Sequence, residues 1–436
     1  MINIRRYFLF FYDFLMTGKL NNDLQNIENH FKNYRDDKTT NERQDLLLNI
    51  LNHALNTVPF YKDLDRVPDI QSFPIVNKNI INENRDLFLS SSFDINKLSK
   101  TTTSGSTGTP FTVFKDKRKL ARHKAENIFF TELCGSDIGE VLYYLRVWNN
   151  VNKKSRIEQF LMNIKPVEIS NLSEDTIENL LKKISIEKGQ KSMLGFGSSL
   201  EEIARYIKRR YPNEKMVGNS LNAIQVMSET ISDDAINTLE QYFKCKVLSR
   251  YSNMENGFIA HQVPNKGASY QINHGSFLVE ILKLHEDKPV NENEIGRIVV
   301  TDFFNYGMPL IRYDTGDLAS FEMKGDQGMV LNNIEGRVVD SIYNTKGELL
   351  SPHSITNLMW NYADIRQFQF IQKGKKVYKI LLNAEEPYHK VEDMIADIKK
   401  YLGSDAEVII EYVHEIPLLL SGKRKKVKHA YNQNEK

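Results

Sequence analysis

The chain has 436 residues, 41% hydrophobic and 26% charged, with 58 Lys and Arg against 56 Asp and Glu. That length asks for at least two domains, and the near-neutral balance gives no reason to expect nucleic acid as the main partner. Two cysteines, Cys134 and Cys245, make neither a disulfide framework nor a metal set and suit a reducing cytoplasm.

The stretch Arg5-Arg6-Tyr7-Phe8-Leu9-Phe10-Phe11-Tyr12 puts basic residues before an apolar run. Asp13 interrupts the run early and no small-residue cleavage site follows, which argues against a signal peptide. It is also far short of the about 20 apolar residues that span a bilayer. The reading is an amphipathic helix docked on the body of the protein, with weak membrane-surface contact left open. Residues 21–58 read as helix, with Leu47, Ile50, Leu51, Ala54 and Val58 on one face. Pro59 ends it. Phe60, Tyr61 and Phe73-Pro74-Ile75-Val76-Asn77-Lys78 follow, and such aromatics are more often core than site.

Next comes Thr101-Thr102-Thr103-Ser104-Gly105-Ser106-Thr107-Gly108-Thr109-Pro110. Glycine permits positive φ and close approach to a ligand. Consecutive turn amides form an anion-binding concavity, to which hydroxyls add uncharged donors. A polyphosphate suits that combination. It is no Walker A loop, since Gly-Lys-Ser/Thr is missing. The bland alternative is a flexible linker. A strand is expected over 111–114 and a helix over 118–133, where His123 reads as a surface or capping residue. Residues 141–148 form an apolar β-run, and 174–188 a helix capped at Ser173.

Leu194-Gly195-Phe196-Gly197-Ser198-Ser199-Leu200 leads into a helix over 200–210. Its glycines and serines either line a ligand pocket or form an ordinary strand–turn–helix junction with a Ser cap. A strand over 223–226, a helix over Asp233–Phe243 and a strand over 246–250 continue the alternation. Ligands in such sheets sit beyond the carboxyl ends of the strands. There the sequence places Tyr251-Ser252-Asn253-Met254-Glu255-Asn256-Gly257. Further strands begin near His274 and Gly296. Then comes Pro309-Leu310-Ile311-Arg312-Tyr313-Asp314-Thr315-Gly316-Asp317-Leu318, where the bland reading of an Asp in a Gly turn fits Asp314 better than Asp317. After Glu335-Gly336-Arg337-Val338-Val339-Asp340 the remainder reads as a small α+β unit. It has a hairpin around Lys373-Gly374-Lys375, a helix over Val391–Leu402 and a final strand over 407–413. The tail Leu420-Ser421-Gly422-Lys423-Arg424-Lys425-Lys426-Val427-Lys428 suits a diffuse basic patch. No repeat, Ser-His-Asp set or zinc spacing stands out.

Residues 103–110 resemble the phosphate loop of the adenylate-forming (acyl-activating, AMP-binding) superfamily. The surrounding segments resemble its phenylacetate–CoA ligase and capsular-polysaccharide-biosynthesis branch, over about residues 45–430. Residues 251–255 are similar to that branch's Tyr-Gly-x-Thr/Ser-Glu, with Ser252 in place of glycine and Met254 in place of the hydroxyl residue. Residues 309–318 resemble its Pro-Leu-Ile-Arg-Tyr-x-x-Gly-Asp-Leu almost position for position. Gly336-Arg337 through Asp340 is similar to the family's hinge, and Ser421-Gly422-Lys423 to the loop that presents a catalytic lysine.

The resemblance implies an α/β fold: a large multi-layered N-terminal α/β domain over 1–337 and a small mobile α+β C-terminal domain over 338–436. It implies that ATP and a small carboxylic acid give an acyl-adenylate and pyrophosphate, and that the acyl group then passes to coenzyme A. An amine acceptor on a sugar or cell-surface precursor is the competing outcome. A non-catalytic nucleotide-binding fold is another, given Ser252, Met254 and Thr109. Ser104, Gly105, Ser106, Thr107, Gly108 and Thr109 would cradle the phosphates, and Tyr251 would stack on adenine beside Ser252 and Asn253. Glu255 and Thr107 would hold Mg2+. Asp317 would accept hydrogen bonds from the ribose diol, for which an acceptor-only carboxylate is suited. Arg337 would touch ribose or phosphate. Lys423 would serve catalysis with Thr107 and Glu255, while Lys425 and Lys426 would be solvated charges. A homodimer is left open.

Overall fold

The structure, a computed structural model, describes all residues except 1–3, 17, 65–67, 104–110, 149–153, 171, 266, 338–341, 351, 363, 420–423 and 432–436. The chain forms two compact units, residues 1–139 with 248–334, and residues 140–247 with 335–436.

The first unit begins with the amphipathic helix Ile4–Met16. Leu9 and Phe10 pack against Leu20, Ile27, Ala125 and Ile128, Arg6 pairs with Glu132 and Asp137, and the buried Asp13 accepts from the Leu20 amide. Tyr7, Phe8, Phe11, Tyr12, Phe14 and Leu15 are exposed. The single helix expected over 21–58 is two, Leu20–Lys32 and Asp37–Thr57. The Thr39 hydroxyl donates to the carbonyls of Asn33 and Asp36 across the break. The Thr39 side chain thus takes up backbone carbonyls at the break, a local choice that an apolar stripe does not reveal. The stripe itself is as read: Ile50, Leu51, Ala54 and Val58 are all buried. They pack with Tyr61, Phe73, Val76, Phe111 and Tyr313 or on the adjoining Phe303 and Phe304.

The unit's main sheet is antiparallel in its recorded pairings, with Phe277–Leu282 beside Gly296–Asp302, then Tyr313–Lys324. Gly328–Arg337 pairs with Tyr270–Ile272, followed by Gly257–Gln262 and Lys246–Asn253. The helix Lys117–Leu133 is N-capped by Asp116, whose carboxylate accepts from the amides of Arg118 and Lys119. Its inner face is unusually polar. Lys119 and Asp302, both fully buried, pair at 2.7 Å, and Arg122 reaches Ser276 and the Gly275 carbonyl.

Three imidazoles of this unit, His30, His261 and His274, are buried, and burial lowers the pKa of each. Burial pushes His261 down to about 4 and His274 to about 3. A histidine whose folded pKa lies below its unfolded value contributes stability that is present above about 6.5 and lost as pH falls towards the folded pKa. Each fully buried imidazole can cost up to about 1.4 kcal/mol per pH unit across that window. Denaturant unfolding at pH 7.5 and 5.5 should therefore show a marked acid loss, and His274→Gln, which cannot titrate, should lessen it while His30 and His261 keep the remainder. Equal stability at the two pH values would contradict this.

The second unit contains the parallel sheet Ala223–Met227, Lys191–Phe196, Val141–Arg146, Ile164–Glu168, in that spatial order. Helices Glu174–Ile186, Gly197–Arg210 and Asp233–Phe243 bury Ile177, Leu181, Leu200, Ile203, Leu239 and Phe243 in its core. Ser173 and Ser232 cap two of these helices. The third is capped differently from expectation: Phe196 is its N-cap and no Ser side chain does the work. The Glu229 carboxylate instead accepts from the Ser198 amide at 2.8 Å, a favourable place for negative charge.

The same unit includes a four-stranded sheet in the order Glu407–Tyr412, Val377–Asn383, Gln367–Gln372, Val427–His429. Met394, Ile398 and Leu402 of the helix Val391–Leu402 fill its core. The hairpin and this helix fall where the sequence put them. The strand ending at Tyr412 is not the last, however. Within the basic tail Val427–His429 adds a parallel strand to Gln367–Gln372, because Val427 is apolar enough to bury against Phe370.

Candidate active site

Two bent strands of the first unit build the site. Lys246–Asn253 and Gly257–Gln262 form a hairpin closed by the pair Asn253–Gly257, with a register shift at Tyr251 and Ser252. Such bulges re-aim side chains. Gly257 has φ 107°, and a Cβ there would lie 3.1 Å from Glu126 Oε2, so the tight turn demands glycine. Asn253 Oδ1 accepts from the Asn256 amide at 2.7 Å. Lys115 Nζ donates to the Met254 carbonyl at 2.7 Å. Burial, with Lys119 nearby, lowers the Lys115 amine to about 8.

The second bend lies in Tyr313–Lys324. Between the pairs Arg297–Leu318 and Val299–Asp314, residues 315–317 face the single residue Ile298. Gly316 takes φ 77° to make this possible. Asp314 is structural, pairing with Arg297 at 2.9 Å and accepting from the Gly316 amide. Asp317 is left partly accessible, and its Oδ2 accepts from the Tyr251 hydroxyl at 2.8 Å. Thr315 holds both: its Oγ1 accepts from Tyr251 at 3.2 Å and from the Asp317 amide at 3.1 Å.

Tyr251 therefore differs from the adenine-stacking surface read from sequence. The ring is only 8% exposed and packs with Ile259, Ala260 and Phe277. Burial and the neighbouring Asp317 carboxylate raise its phenol well above the usual value, so it stays a donor. What Tyr251 does in this arrangement is hold the Asp317 carboxylate in place.

Glu255 sits in the hairpin turn at 3% exposure. Its Oε1 lies 2.9 Å from Lys78 Nζ and accepts from the Tyr313 hydroxyl at 3.0 Å. The backbone explains this convergence. Val76 forms a parallel bridge to Tyr313, with the Val76 amide donating to the Arg312 carbonyl and the Asp314 amide to the Val76 carbonyl. That bridge carries Asn77 and Lys78 to the turn. Lys78 also lies over the Phe111 ring at 5.7 Å, and Phe111 stacks on Tyr313 at 6.0 Å. Phe111 is the first residue after the hydroxyl- and glycine-rich loop, whose ends are closed by the pair Thr103–Phe111. Ser104, Gly105, Ser106, Thr107, Gly108 and Thr109 themselves lie outside the described residues.

Sequence reasoning missed Lys78 and Tyr313 as parts of this cluster. Tyr313 stood inside a quoted motif, but its partner Glu255 is 58 residues away, and nothing in linear spacing joins them. Among the described residues no group of three or more His, Cys, Asp or Glu could hold a metal ion. A Mg2+ arriving on phosphates needs only one or two carboxylates, which the single Glu255 fits. Lys78 would compete for the same oxygen.

In the second unit, the Gly195–Ser199 segment is tightly packed. A Cβ on Gly197 would lie 2.4 Å from the Thr230 carbonyl, and Ser199 Oγ donates to the Phe196 carbonyl. Arg337 ends a strand and only its backbone is described; Lys423 lies outside the described residues. Lys426, read as a solvated charge, is instead 19% exposed and paired with the buried Glu201. The cause is its position one residue before the final strand, with the Lys426 carbonyl accepting from Phe370.

Residues 342–430 match the CapK C-terminal domain family. Protein CapK of Staphylococcus aureus is 24% identical over 375 residues, covering 82% of this chain and 80% of that protein. A 2-hydroxyisobutyryl-CoA ligase in complex with 2-HIB-AMP in the postadenylation state superposes with TM-score 0.68 at 13% identity, covering 93% of this chain and 92% of the ligase. The fold is that of the adenylate-forming ligases. ATP-bound MatB from Rhodopseudomonas palustris shares it at TM-score 0.56 and 13% identity, over 77% of this chain and 68% of MatB. So does the amide bond synthetase McbA from Marinactinospora thermotolerans, at TM-score 0.52 and 14% identity, over 76% and 68%. In this fold the two bent strands bring Glu255, Tyr313, Tyr251 and Asp317 together with Lys78 and Phe111 in the first unit.

Proposed function

We propose that the protein is an AMP-forming acid ligase. One oxygen of a small carboxylic acid attacks the α-phosphorus of ATP. The bond to the β-phosphate breaks, pyrophosphate leaves, and an acyl-adenylate remains. In the second step a nucleophile attacks the acyl carbon and AMP leaves. The observation that carries the reading is the convergence of Phe111, Tyr313, Lys78 and Glu255 at the exit of the hydroxyl-rich loop, beside the Tyr251–Asp317 pair.

Two anions must meet in the first step, so neutralising charge is the central problem. Loop amides of residues 104–109 and the Lys78 ammonium are suited to phosphate oxygens. Glu255 would hold a Mg2+ carried on the phosphates, with Thr107, and that ion would supply further charge neutralisation. Asp317, oriented by Tyr251 and Thr315, is suited to the ribose diol. Arg337, and Lys423 from the segment we assign as a C-terminal lid over 338–436, would complete the set. Coenzyme A is the acceptor proposed, as in the phenylacetate–CoA ligase branch, and the fold's presence in an amide bond synthetase keeps an amine as the second reading.

Carboxylate-dependent exchange of pyrophosphate into ATP tests adenylation, and AMP release that requires coenzyme A separates thioester from amide formation. Absence of exchange across a broad panel of acids would overturn the proposal. Asp317→Ala should weaken ATP binding without unfolding the protein. Hydrogen bonds to a charged group are each worth roughly 1.5–3 kcal/mol, which corresponds to about ten- to hundredfold in affinity. Unchanged ATP affinity in the folded variant would remove Asp317 from the site.

A further inference from the structure

The helix Gly197–Arg210 presents Glu201, Glu202 and Arg205 to the C-terminal segment of its own unit. Glu202 Oε2 holds Arg424 Nη1 at 3.0 Å, while Arg424 Nη2 reaches Glu415 at 2.8 Å and Arg424 Nε donates to the Ile416 carbonyl at 2.8 Å. Glu201 pairs with Lys426 through Oε2 and accepts from the Ser232 amide through Oε1 at 2.9 Å. Arg205 donates to the carbonyls of Tyr362 and Ile365 and lies 4.5 Å over the Trp360 ring. The Lys425 carbonyl accepts from Gln369 Nε2 at 2.6 Å and the Lys426 carbonyl from the Phe370 amide at 2.7 Å. Arg424 is thus held through its side chain, and Lys426 through side chain and backbone together. They follow Lys423 directly in the chain.

A charge held this far from water is expensive to strand, so a pair here fixes geometry more firmly than an exposed pair does. The tail could be anchored by its strand alone. Adding two carboxylates at adjacent positions of one helix, each matched to a separate cation, goes beyond what three residues of strand pairing need. We propose that Glu201 and Glu202 are positioning residues for adenylation: they hold Arg424 and Lys426, the cations that follow Lys423 in the chain. The inference rests on the reading of Lys423 as the adenylation lysine. Both glutamates are engaged by Arg424, Lys426 and the Ser232 amide, so each acts through the tail.

The test uses the full chain and two independent readouts. The first needs no substrate: the initial rate of tryptic cleavage at Arg424, Lys425 and Lys426. Glu201→Gln/Glu202→Gln keeps the acceptor for Ser232 and should raise that rate by about tenfold or more, since cleavage follows the population of the opened segment. Lys426→Met should act in the same direction and Lys426→Arg should not. The second readout is pyrophosphate exchange with a mixture of short aliphatic and aromatic carboxylates, beside acyl transfer from pre-made adenylates. The double variant should lose exchange by roughly tenfold or more with transfer nearly unchanged, as expected for a group needed only when a mobile element delivers it. Unchanged tryptic cleavage, or equal losses in both half-reactions with a lowered melting temperature, would overturn the positioning role. Exchange retained in Lys423→Ala would sink the lysine reading, and the positioning role with it, whatever the cleavage rates.

Discussion

Lys423→Ala is expected to cut acyl-adenylate formation by ~100-fold or more, the scale of one lost preorganised charge at a transition state. Transfer from a pre-made acyl-adenylate should change far less, because in the proposed lid mechanism the lysine serves only the step in which carboxylate meets phosphate. Lys425→Met should leave both steps near wild type. Lys426 is a different case from the one its place in a basic run suggests: its pairing with Glu201 means that Lys426→Met should lower adenylation through the geometry of the tail. The three lysines should therefore rank 423, 426, 425 in adenylation and separate little in transfer. Equal effects from all three would mean a diffuse basic patch. Equal losses in both half-reactions would mean that the tail matters for folding alone.

Legibility differed by element for physical reasons. The helices Asp233–Phe243 and Val391–Leu402 were readable to the residue, since an apolar stripe coincides with the Ser232 cap in the first and with the terminating Gly403 in the second. The break at residues 33–36 was not, because its polar residues sit as comfortably on an exposed helix face as in a turn. The last strand, Val427–His429, is three residues inside a basic run, too short for any periodicity to register. In the candidate site, motifs marked Tyr251, Glu255 and Asp317. What they hid was the division of labour between them. Whether a tyrosine is a platform or an orienting donor depends on which strands flank it, and Tyr251 is held under Asp317 by a bulge that only the pairing of Gly296–Asp302 with Tyr313–Lys324 creates. Lys78 was legible as part of a segment but not as a partner of Glu255, since the Val76–Tyr313 bridge that joins them is a long-range contact.

Glu255→Gln is expected to lower adenylation by roughly 10- to 100-fold, the scale on which groups around a bound metal tune it, and to raise the Mg2+ concentration needed for half-maximal rate. A neutral amide is a poor ligand for a hard cation, while its oxygen can still accept from Tyr313. The variant also leaves the Lys78 ammonium, 2.9 Å away, without its counter-charge, and that second effect must be separated from the first. Lys78→Met in the Glu255→Gln background removes the stranded charge. If Glu255 serves only to neutralise Lys78, the double variant should regain the melting temperature and activity lost in the single one, with Mg2+ dependence unchanged throughout. If Glu255 serves the metal, the double variant should stay slow and keep its raised Mg2+ requirement, because the missing carboxylate is still missing. Tyr313→Phe provides the control for geometry: it deletes the 3.0 Å hydrogen bond to Oε1 and leaves the carboxylate charged, so its Mg2+ requirement should move much less than that of Glu255→Gln. A wild-type Mg2+ profile in Glu255→Gln would assign this buried carboxylate to the fold.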